Sequence, residues 1–519
     1  MSGTKGLPRE ARDFFTPGVN PELAEGVVQN DKRGSRFRES LYVCPHGYNC
    51  LMRALLYRIL ILLAVIGLTA IPPILTGYAS LRQAETAWKG GDFSQASTAF
   101  ERSARLLPWR GDLWEQAAMG QSFTGGFDSA ILLFEQSSQN GTLSAEGWDL
   151  LGQCYWLTDD HESAIASWNK GVEAYPSHTR FYAHLSKAYF EKGDIQAEQK
   201  ALEQWVARGG ETDATAHYRL GLLLSISDPE RAIGEFLLAA SLDPQYDSAA
   251  ETMRTNLNLA SLESDNSKKM IFIGRGLGLV NEWPLAAEAF HQAVARDGEN
   301  AEAWAWLGEA EQQLGRDGRA ELDKALSLDR KNPIVRSLRG VYWMRQDRGD
   351  QALAEYLLAA EYDPDNPAWR ISIGEAYIQR GDLQAALASY LRATEMAPTD
   401  APIWRALAAF SAQYNMQLED VGLPAAQMAV KLSGGDPLAL DTLGWTLALL
   451  ERYDEAQDAL GHALNLDPQL AQGHLHIGIV ALQTDDWGAA KDHFQQARDL
   501  DANGPVGEQA QMLLNQYFP

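Results

Sequence analysis

The sequence predicts an all-α protein, a superhelical solenoid of about twelve helix-turn-helix repeats preceded by one transmembrane helix. Three observations favour this fold class. A bulky residue recurs at steps close to 34 residues, a small residue lies four positions before nearly every one of them, and nineteen residues without a charge precede the first repeat. Self-similarity at such a period is typical of stacked helical repeats, so repeats account for most of the chain.

The bulky position recurs twelve times, and one step of 54 residues interrupts the count after the fifth. Its occupants are Phe100, Phe134, Trp168, Leu202, Phe236, Phe290, Leu322, Tyr356, Tyr390, Ala426, Leu460 and Phe494. Four residues earlier, eleven of the twelve positions hold Ala or Gly, and Glu198 is the exception. Helices that cross closely need a small residue at the crossing, so this column predicts pairs of packed antiparallel helices.

A proline follows the predicted second helix in half of the repeats and blocks its continuation. These residues are Pro108, Pro176, Pro244, Pro364, Pro398 and Pro468. The period, the pattern W..LG..Y…A…F…A…P and these prolines together resemble the tetratricopeptide repeat family, over roughly residues 81–504. The resemblance, which suggests a membrane-anchored multi-repeat member of the family, implies a solenoid that binds proteins or peptides on its concave face.

The repeat register predicts six segments along the chain. They are a mostly disordered, basic and cytoplasmic leader (residues 1–52), a transmembrane anchor (53–78), an N-terminal array of about five repeats (79–245), an irregular joint (246–268), a C-terminal array of about seven repeats (269–504) and a capping helix (505–519). The joint accounts for the long step, and its first half is compatible with a helix. No room remains for a separate catalytic domain.

The uncharged run, residues 59–77, would form a helix about 28 Å long, close to the thickness of a bilayer core. A buried core helix is an alternative, but the repeats offer no cavity for a helix that is apolar all round. A cleaved signal peptide is disfavoured because more than fifty residues precede the run. Basic residues are more frequent before the run than after it, so the positive-inside rule predicts a plasma-membrane protein with a cytoplasmic N-terminus and an extracytoplasmic solenoid.

Charge divides the chain at the same place. Residues 1–58 hold nine Lys and Arg against six Asp and Glu, whereas the remainder holds 35 against 63. An acidic solenoid repels phosphates, so nucleic-acid binding is not expected. The acidic surface either keeps a long array soluble or recognises a partner. A homo-oligomer is compatible with the sequence.

No catalytic, cofactor or metal site is expected. Cys44, His46 and Cys50 match no common zinc spacing, and a disulfide is disfavoured in a reducing cytosol. Cys154 is predicted to be a small, buried hydrophobic residue. The glycine-rich stretch around Gly274 fits the repeat register better than a phosphate loop. The chain is therefore predicted not to be an enzyme.

The family resemblance implies that the second, fifth, ninth and twelfth positions of each repeat line the concave groove. In the third and fourth repeats these are Glu146, Asp149, Gln153, Trp156, Arg180, Ala183, Lys187 and Phe190. Because aromatic residues and arginine favour interface hot spots and cations can bind a carboxylate, we select Trp156, Arg180, Lys187 and Phe190 as partner-groove candidates. The alternative is that they are ordinary groove lining.

The function we expect is that of a membrane-anchored scaffold that binds partner proteins or peptides outside the plasma membrane. Two alternatives remain open. The same scaffold facing the cytosol would recruit soluble proteins, and an accessory subunit of a cell-envelope polysaccharide assembly or export system would use its repeats to hold an enzyme or its product.

Overall fold

The structure, a computed structural model, describes residues 46–141 and 143–519, with only the backbone described for 46–51, 53, 54 and 140. These residues form helices and turns and contain no strand. The helices are α1 His46–Lys89, α2 Phe93–Leu106, α3 Asp112–Phe123, α4 Phe127–Asn140, α5 Ala145–Leu157, α6 His161–Ala174, α7 Arg180–Lys192, α8 Ile195–Arg208, α9 Ala214–Ser227, α10 Pro229–Leu242, α11 Asp247–Leu262, α12 Asn266–Leu279, α13 Trp283–Arg296, α14 Ala301–Gln313, α15 Arg319–Leu328, α16 Pro333–Arg345, α17 Gly349–Tyr362, α18 Ala368–Gln379, α19 Leu383–Met396, α20 Ala401–Tyr414, α21 Leu423–Ser433, α22 Pro437–Leu449, α23 Tyr453–Leu466, α24 Ala471–Gln483, α25 Trp487–Leu500 and α26 Pro505–Tyr517.

These helices pack in twelve consecutive pairs, which confirms the predicted all-α solenoid of about twelve repeats. The N-terminal array consists of five pairs, from α1 with α2 to α9 with α10, and the C-terminal array of seven, from α12 with α13 to α24 with α25. All twelve bulky residues of the sequence pattern are buried, none more than 6% exposed. The period therefore marks a core that continues from pair to pair.

In eight of the twelve pairs, the bulky residue of the second helix packs on a glycine of the first. A Cβ atom on Gly152 would lie 2.2 Å from Nε1 of Trp168, and one on Gly340 would lie 2.3 Å from the ring of Tyr356. Such distances are far inside van der Waals contact, so only a glycine allows the ring this close to the first helix. The small residue four positions before the bulky one therefore forms the second helix's side of the crossing. The glycine forms the first helix's side.

The turn inside three of the pairs has the same local cause. Gly91, Gly193 and Gly381 adopt the left-handed conformation, and the aspartate that follows each of them caps the second helix by accepting a hydrogen bond from a backbone N–H. Glycine enters this conformation without a steric penalty, and an aspartate oxygen satisfies a free donor at the helix start. The sequence therefore stops and restarts the helix at a fixed place.

Between the arrays, the segment that the sequence analysis treated as an irregular joint contains the helix α11. A short 3-10 turn, Pro244–Tyr246, leads into it. Met253 and Leu257 of α11 are buried in the same core as Phe236 and Phe290. The core thus continues across the joint, because α11 supplies an apolar face to both neighbouring pairs.

The two ends of the solenoid differ. Helix α26 buries Ala510 and Leu514 against Phe494 of the last pair. At the other end, α1 continues without interruption from the apolar run, through Pro72 and Pro73, into the first pair. Within the described residues, α1 is the one helix long and apolar enough to cross a membrane, and its most apolar window is 0% buried.

Candidate partner-binding groove

Two neighbouring pockets open along the first helices of the third to fifth pairs. The first pocket lies between α7, α8 and α9 and has a volume of about 450 Å³. Its lining includes Lys187, Phe190, Trp205, Tyr218 and Arg219. Burial, and after it the nearby Glu282, raise the pKa of Tyr218 to about 12, so its hydroxyl stays protonated. The pocket combines aromatic walls with cations at one side.

The second pocket lies between α5, α6 and α7 and has a volume of about 200 Å³. Gln153, Trp156, Trp168, His184 and Lys187 line it. Lys187 lines both pockets, and so it stands on the ridge that separates them. Three of the four partner-groove candidates, Trp156, Lys187 and Phe190, are therefore brought together along one continuous face.

Lys187 has a feature that a sequence pattern does not reveal. It is exposed, and within the described part of the chain it makes no hydrogen bond and no ion pair. Its charge is therefore not neutralised by any described carboxylate, although the chain as a whole carries a net charge of −25. Phe190, one turn further along α7, is 54% exposed. A free cation beside an exposed aromatic ring is a suitable surface for an acidic group next to an apolar one.

The side chain of Trp156 is fixed in place by its neighbours. Its ring meets that of His161 edge to face at 4.1 Å between centroids and lies 5.9 Å from that of Trp168. Trp168 in turn stacks on His184 at 5.0 Å. Because these rings hold each other in fixed orientations, the aromatic wall of the second pocket is already formed without a ligand.

Of the other predicted groove positions, Ala183 lines the first pocket and Gln153 the second, whereas Arg180 and Asp149 line neither. Nη1 of Arg180 lies 3.6 Å from Oε1 of Glu146 on the preceding pair. Asp149 was expected to face the groove but is only 1% exposed. Its side chain accepts a hydrogen bond from Gln153 and lies 3.2 Å from Nε2 of His184. Asp149 therefore supports the wall of the second pocket from behind, because it is buried against Trp168 and His184, which line that pocket.

Sequence reasoning missed the ion cluster at the floor of the first pocket. Arg219 donates two hydrogen bonds to Glu198, at 2.6 and 3.0 Å, and one to Glu282, at 2.9 Å. Its guanidinium also lies 4.6 Å from the ring centroid of Phe190. The signal was present in the sequence, because Glu198 is the one charged residue in the column of small residues.

Glu198 tolerates its buried position, at 2% exposure, because Arg219 pairs with both of its oxygens. Burial opposes the charge of Arg219, but the pairing with the two carboxylates prevails and raises its pKa above the ordinary value. Since Glu282 lies beyond α11, at the start of α13, the cluster also connects the N-terminal array to the C-terminal array.

The other sequence candidates have simpler places. Cys154 is 1% exposed, as predicted, and burial raises the pKa of its thiol to about 11. Gly274 is a repeat glycine that packs on Phe290, so the glycine-rich stretch is part of α12. Cys44 lies outside the described residues, and only the backbone of His46 and Cys50 is described. In the part of the chain that the structure describes, no cluster of three or more His, Cys, Asp or Glu could hold a metal ion.

Family models for the tetratricopeptide repeat match four parts of the chain. They cover residues 145–178, 280–333, 344–410 and 439–470, which lie in both arrays. All of these models describe tetratricopeptide repeats, and none describes an enzyme family. Among curated proteins, no relative matches the sequence at a significant level.

Several solved structures are similar to this chain. Yeast Tom70 has 16% identity and a TM-score of 0.41, over 79% of this chain and 96% of that one. The Cut9–Hcn1 hetero-tetramer of the APC/C has 14% identity and a TM-score of 0.37, over 85% and 96%. The protein PilF of Pseudomonas aeruginosa has 18% identity and a TM-score of 0.33, over 42% and 98%. Likenesses at this level do not indicate a function. The repeat models in both arrays and the twelve helix pairs together identify the chain as a tetratricopeptide repeat protein.

Proposed function

We propose that the protein is a single-pass membrane-anchored scaffold that binds a partner protein through the groove of its third to fifth repeats. The observation that carries this proposal is Lys187, an exposed cation without a described partner, standing between two pockets with aromatic walls. A monomer gains little from such an arrangement, because exposed aromatic rings lose contact with water only when something covers them.

The pockets define the chemistry of the partner. An aromatic or large aliphatic side chain fits the first pocket, where Phe190, Trp205 and Tyr218 supply apolar contact. An acidic group next to that side chain would reach Lys187. Arg219 offers little to the partner, because Glu198 and Glu282 already neutralise it. The partner segment is therefore apolar with a single neighbouring carboxylate, and not a long acidic tract, which the surrounding negative charge would repel.

The anchor rests on α1, whose apolar window is entirely exposed in the structure and hence in need of an apolar surrounding such as a bilayer. We place the solenoid outside the plasma membrane. Six Lys and Arg lie between residues 32 and 58, before the apolar run, against two in the first fifteen residues after it, a bias that favours a cytoplasmic N-terminus. In this arrangement the protein acts by holding and positioning its partner and carries out no chemistry of its own.

The groove is tested by site-specific photocrosslinking of the full chain in living cells. A photoreactive amino acid at Phe190 is expected to capture one discrete partner, whereas the same amino acid at Leu357, an exposed residue of α17, is not. Lys187→Glu is expected to abolish capture from position 190, because it turns the attraction for a carboxylate into repulsion.

Lys200→Glu is the matched control for this charge reversal. Lys200 is exposed on α8 and outside both pockets, and like Lys187 it has no described partner. Capture that survives Lys187→Glu, or that is lost equally in Lys200→Glu, would refute the proposed groove.

The orientation is tested separately with trypsin outside cells whose plasma membrane is intact. We expect the solenoid to be cut and an epitope tag at the N-terminus to be protected. If trypsin cleaves the tag and leaves the solenoid intact, the topology is the reverse of the one proposed. The protein would then recruit partners in the cytosol.

A further inference from the structure

The first repeat continues directly from the apolar run, and this restricts how the solenoid can lie. Helix α1, His46–Lys89, includes both the run and the first helix of the first pair, so no linker separates them. Helix pairs stack side by side, and the direction of stacking is therefore roughly perpendicular to the helices. If the run spans a bilayer, the first pairs stack along the membrane surface rather than away from it.

The second helix returns the chain to the end of the apolar run. The hydroxyl of Ser103 on α2 donates a 2.9 Å hydrogen bond to the carbonyl oxygen of Gly77, the last residue of the run. Leu107 lies so close to Gly77 that a Cβ atom there would be 2.7 Å from its Cγ. The turn between α2 and α3, residues 107–111, therefore lies at the level where the run leaves the bilayer.

The tip of this turn exposes a tryptophan. Trp109 is 57% exposed, and Tyr78, the first residue after the run, is 44% exposed. Trp109 has no ring contact among the described residues that would explain its place in the fold. Tryptophan and tyrosine prefer the interface between bilayer and water, because their rings are apolar at one end and donate hydrogen bonds at the other.

Charge favours the same surface. Residues 79–111 hold five Lys and Arg against three Asp and Glu, whereas residues 112–519 hold 30 against 60. Four of these five cations, Arg82, Arg102, Arg105 and Arg110, belong to the half of the pair near Gly77 or to its turn. Of the nearby acids, Glu101 pairs with Arg105, Asp112 pairs with Arg110, and Glu85 lies close to Arg110. The first pair thus lacks the acidic excess of the remainder taken as a whole, and anionic lipid headgroups repel it less than that remainder.

We propose that the first repeat rests on the lipid surface, with the turn at residues 107–111 in the headgroup region and Trp109 inserted at its apolar boundary. The inference rests on the proposed membrane anchor but does not depend on which side of the membrane the solenoid occupies. It fixes the orientation of the groove, because a repeat held at both α1 and the α2–α3 turn cannot rotate freely about a single helix.

The experiment uses the full chain with Cys44, Cys50 and Cys154 replaced by alanine, reconstituted into vesicles of phosphatidylcholine and phosphatidylglycerol that contain a headgroup spin-labelled lipid. A fluorophore is attached at Pro108→Cys, beside the retained Trp109. The control fluorophore is attached at Thr124→Cys, at the opposite end of α3 from the turn. Helix α3 has 12 residues and is therefore about 18 Å long. A third fluorophore, at Arg102→Cys on α2, reports on the same surface in a chain whose turn at residues 107–111 is unchanged.

We expect the spin label to quench the fluorophores at positions 108 and 102 and to leave the one at 124 bright. Adding Trp109→Ser to the Pro108→Cys chain is expected to reduce its quenching. Vesicles that retain the protein through a carbonate wash but show no quenching at 108 and 102, or equal quenching at all three positions, would overturn this inference and leave the anchor intact. Extraction of the protein by carbonate would instead refute the anchor, and this inference with it.

Discussion

The two arrays use one local arrangement in opposite ways. In the N-terminal array, Asp149 lies behind His184, whose side chain is 34% exposed and lines the second pocket. In the C-terminal array, Asp441 accepts a 2.8 Å hydrogen bond from His476, whose side chain is only 8% exposed and is covered by the stacked ring of Trp445. The residue types and the spacing of 35 between Asp and His are the same. One copy opens onto a pocket and the other is closed.

The ninth position of the repeat shows the same difference. Lys187 occupies it in the fourth pair and has no described partner, whereas Glu309 occupies it in the seventh pair and accepts two hydrogen bonds from Arg345 of the next first helix, at 2.6 and 2.7 Å. A charge neutralised within the chain is not available to a partner. The comparison indicates that binding capacity depends on which polar positions the fold leaves unsatisfied, and not on the repeat pattern itself.

The largest effect is expected where the two arrays meet. Arg219→Ala would leave Glu198, whose side chain is 3% exposed, buried without its partner, which costs about 3–5 kcal/mol. Hydrogen exchange should show faster opening of α8, α9 and α13 while α22 to α25 are unchanged, because repeats contact only their neighbours. The double variant Glu198→Ala, Arg219→Leu is expected to recover most of the loss. If the single variant left exchange in α13 unchanged, the cluster would not connect the arrays.

A smaller effect is expected for the glycine at the helix crossing, which both arrays share. Gly340→Ala would place a Cβ atom 2.3 Å from the Tyr356 ring, and this overpacking should destabilise the C-terminal array by about 1–3 kcal/mol. Gly461→Ala on α23 is the control, since a Cβ atom there meets nothing within 4 Å and the better helix former should stabilise by up to about 1 kcal/mol. The two changes in stability are measured by hydrogen exchange, in α17 for Gly340→Ala and in α23 for Gly461→Ala. Equal responses would contradict the packing we describe.

The ninth position gives a direct comparison of the open and closed faces. Arg345→Met should destabilise the seventh and eighth pairs by about 1 kcal/mol, because Glu309, with a side chain 7% exposed, loses the two hydrogen bonds from Arg345 and keeps the one from Gln313. Lys187→Met breaks no described contact, so its effect on stability should stay within about 0.5 kcal/mol while partner capture falls. A loss of stability in Lys187→Met as large as that in Arg345→Met would remove the distinction between the arrays.

The smallest effect concerns pH at the far end of the C-terminal array. Burial, and then the neighbouring His474, hold the pKa of His493 below its usual range, although Asp492 and Asp486 oppose this. An unfolded His493 binds a proton at higher pH than the folded one, so this stabilisation is complete at neutral pH and falls as the pH drops below about 6.5. Exchange of α24 and α25 should therefore accelerate at mildly acidic pH. His493→Gln should reduce the acceleration; an unchanged pH dependence would exclude this histidine as its cause.

Much of the fold could be predicted because it is local and periodic. The spacing of bulky and small residues identified the twelve pairs, and the turn glycines, aspartate caps and prolines act within a few residues of their place in the chain. The position of the apolar run was equally direct. The sequence did not predict that this run and the first repeat would form one helix, or that α11 would extend through most of the proposed joint, because capping and packing decide where a helix ends.

The candidate groove was predictable only in part, since the family pattern places side chains on a face but does not determine what neutralises or covers them. It selected Trp156, Lys187 and Phe190, which the structure brings together, and also Arg180, which lies outside both pockets. Its assignment of Asp149 to the groove is wrong, because that residue is only 1% exposed and its carboxylate lies against His184.

The sequence by itself determined the repeat, its number and the single charged exception at Glu198. Only the tertiary structure showed why that exception is tolerated: Arg219 and Glu282 are 63 residues apart in the chain and come within 2.9 Å of each other once α11 has folded between them. A repeat period predicts contacts between residues at a fixed separation in the sequence. The partner of a buried charge has no fixed separation, because it depends on how the helices pack.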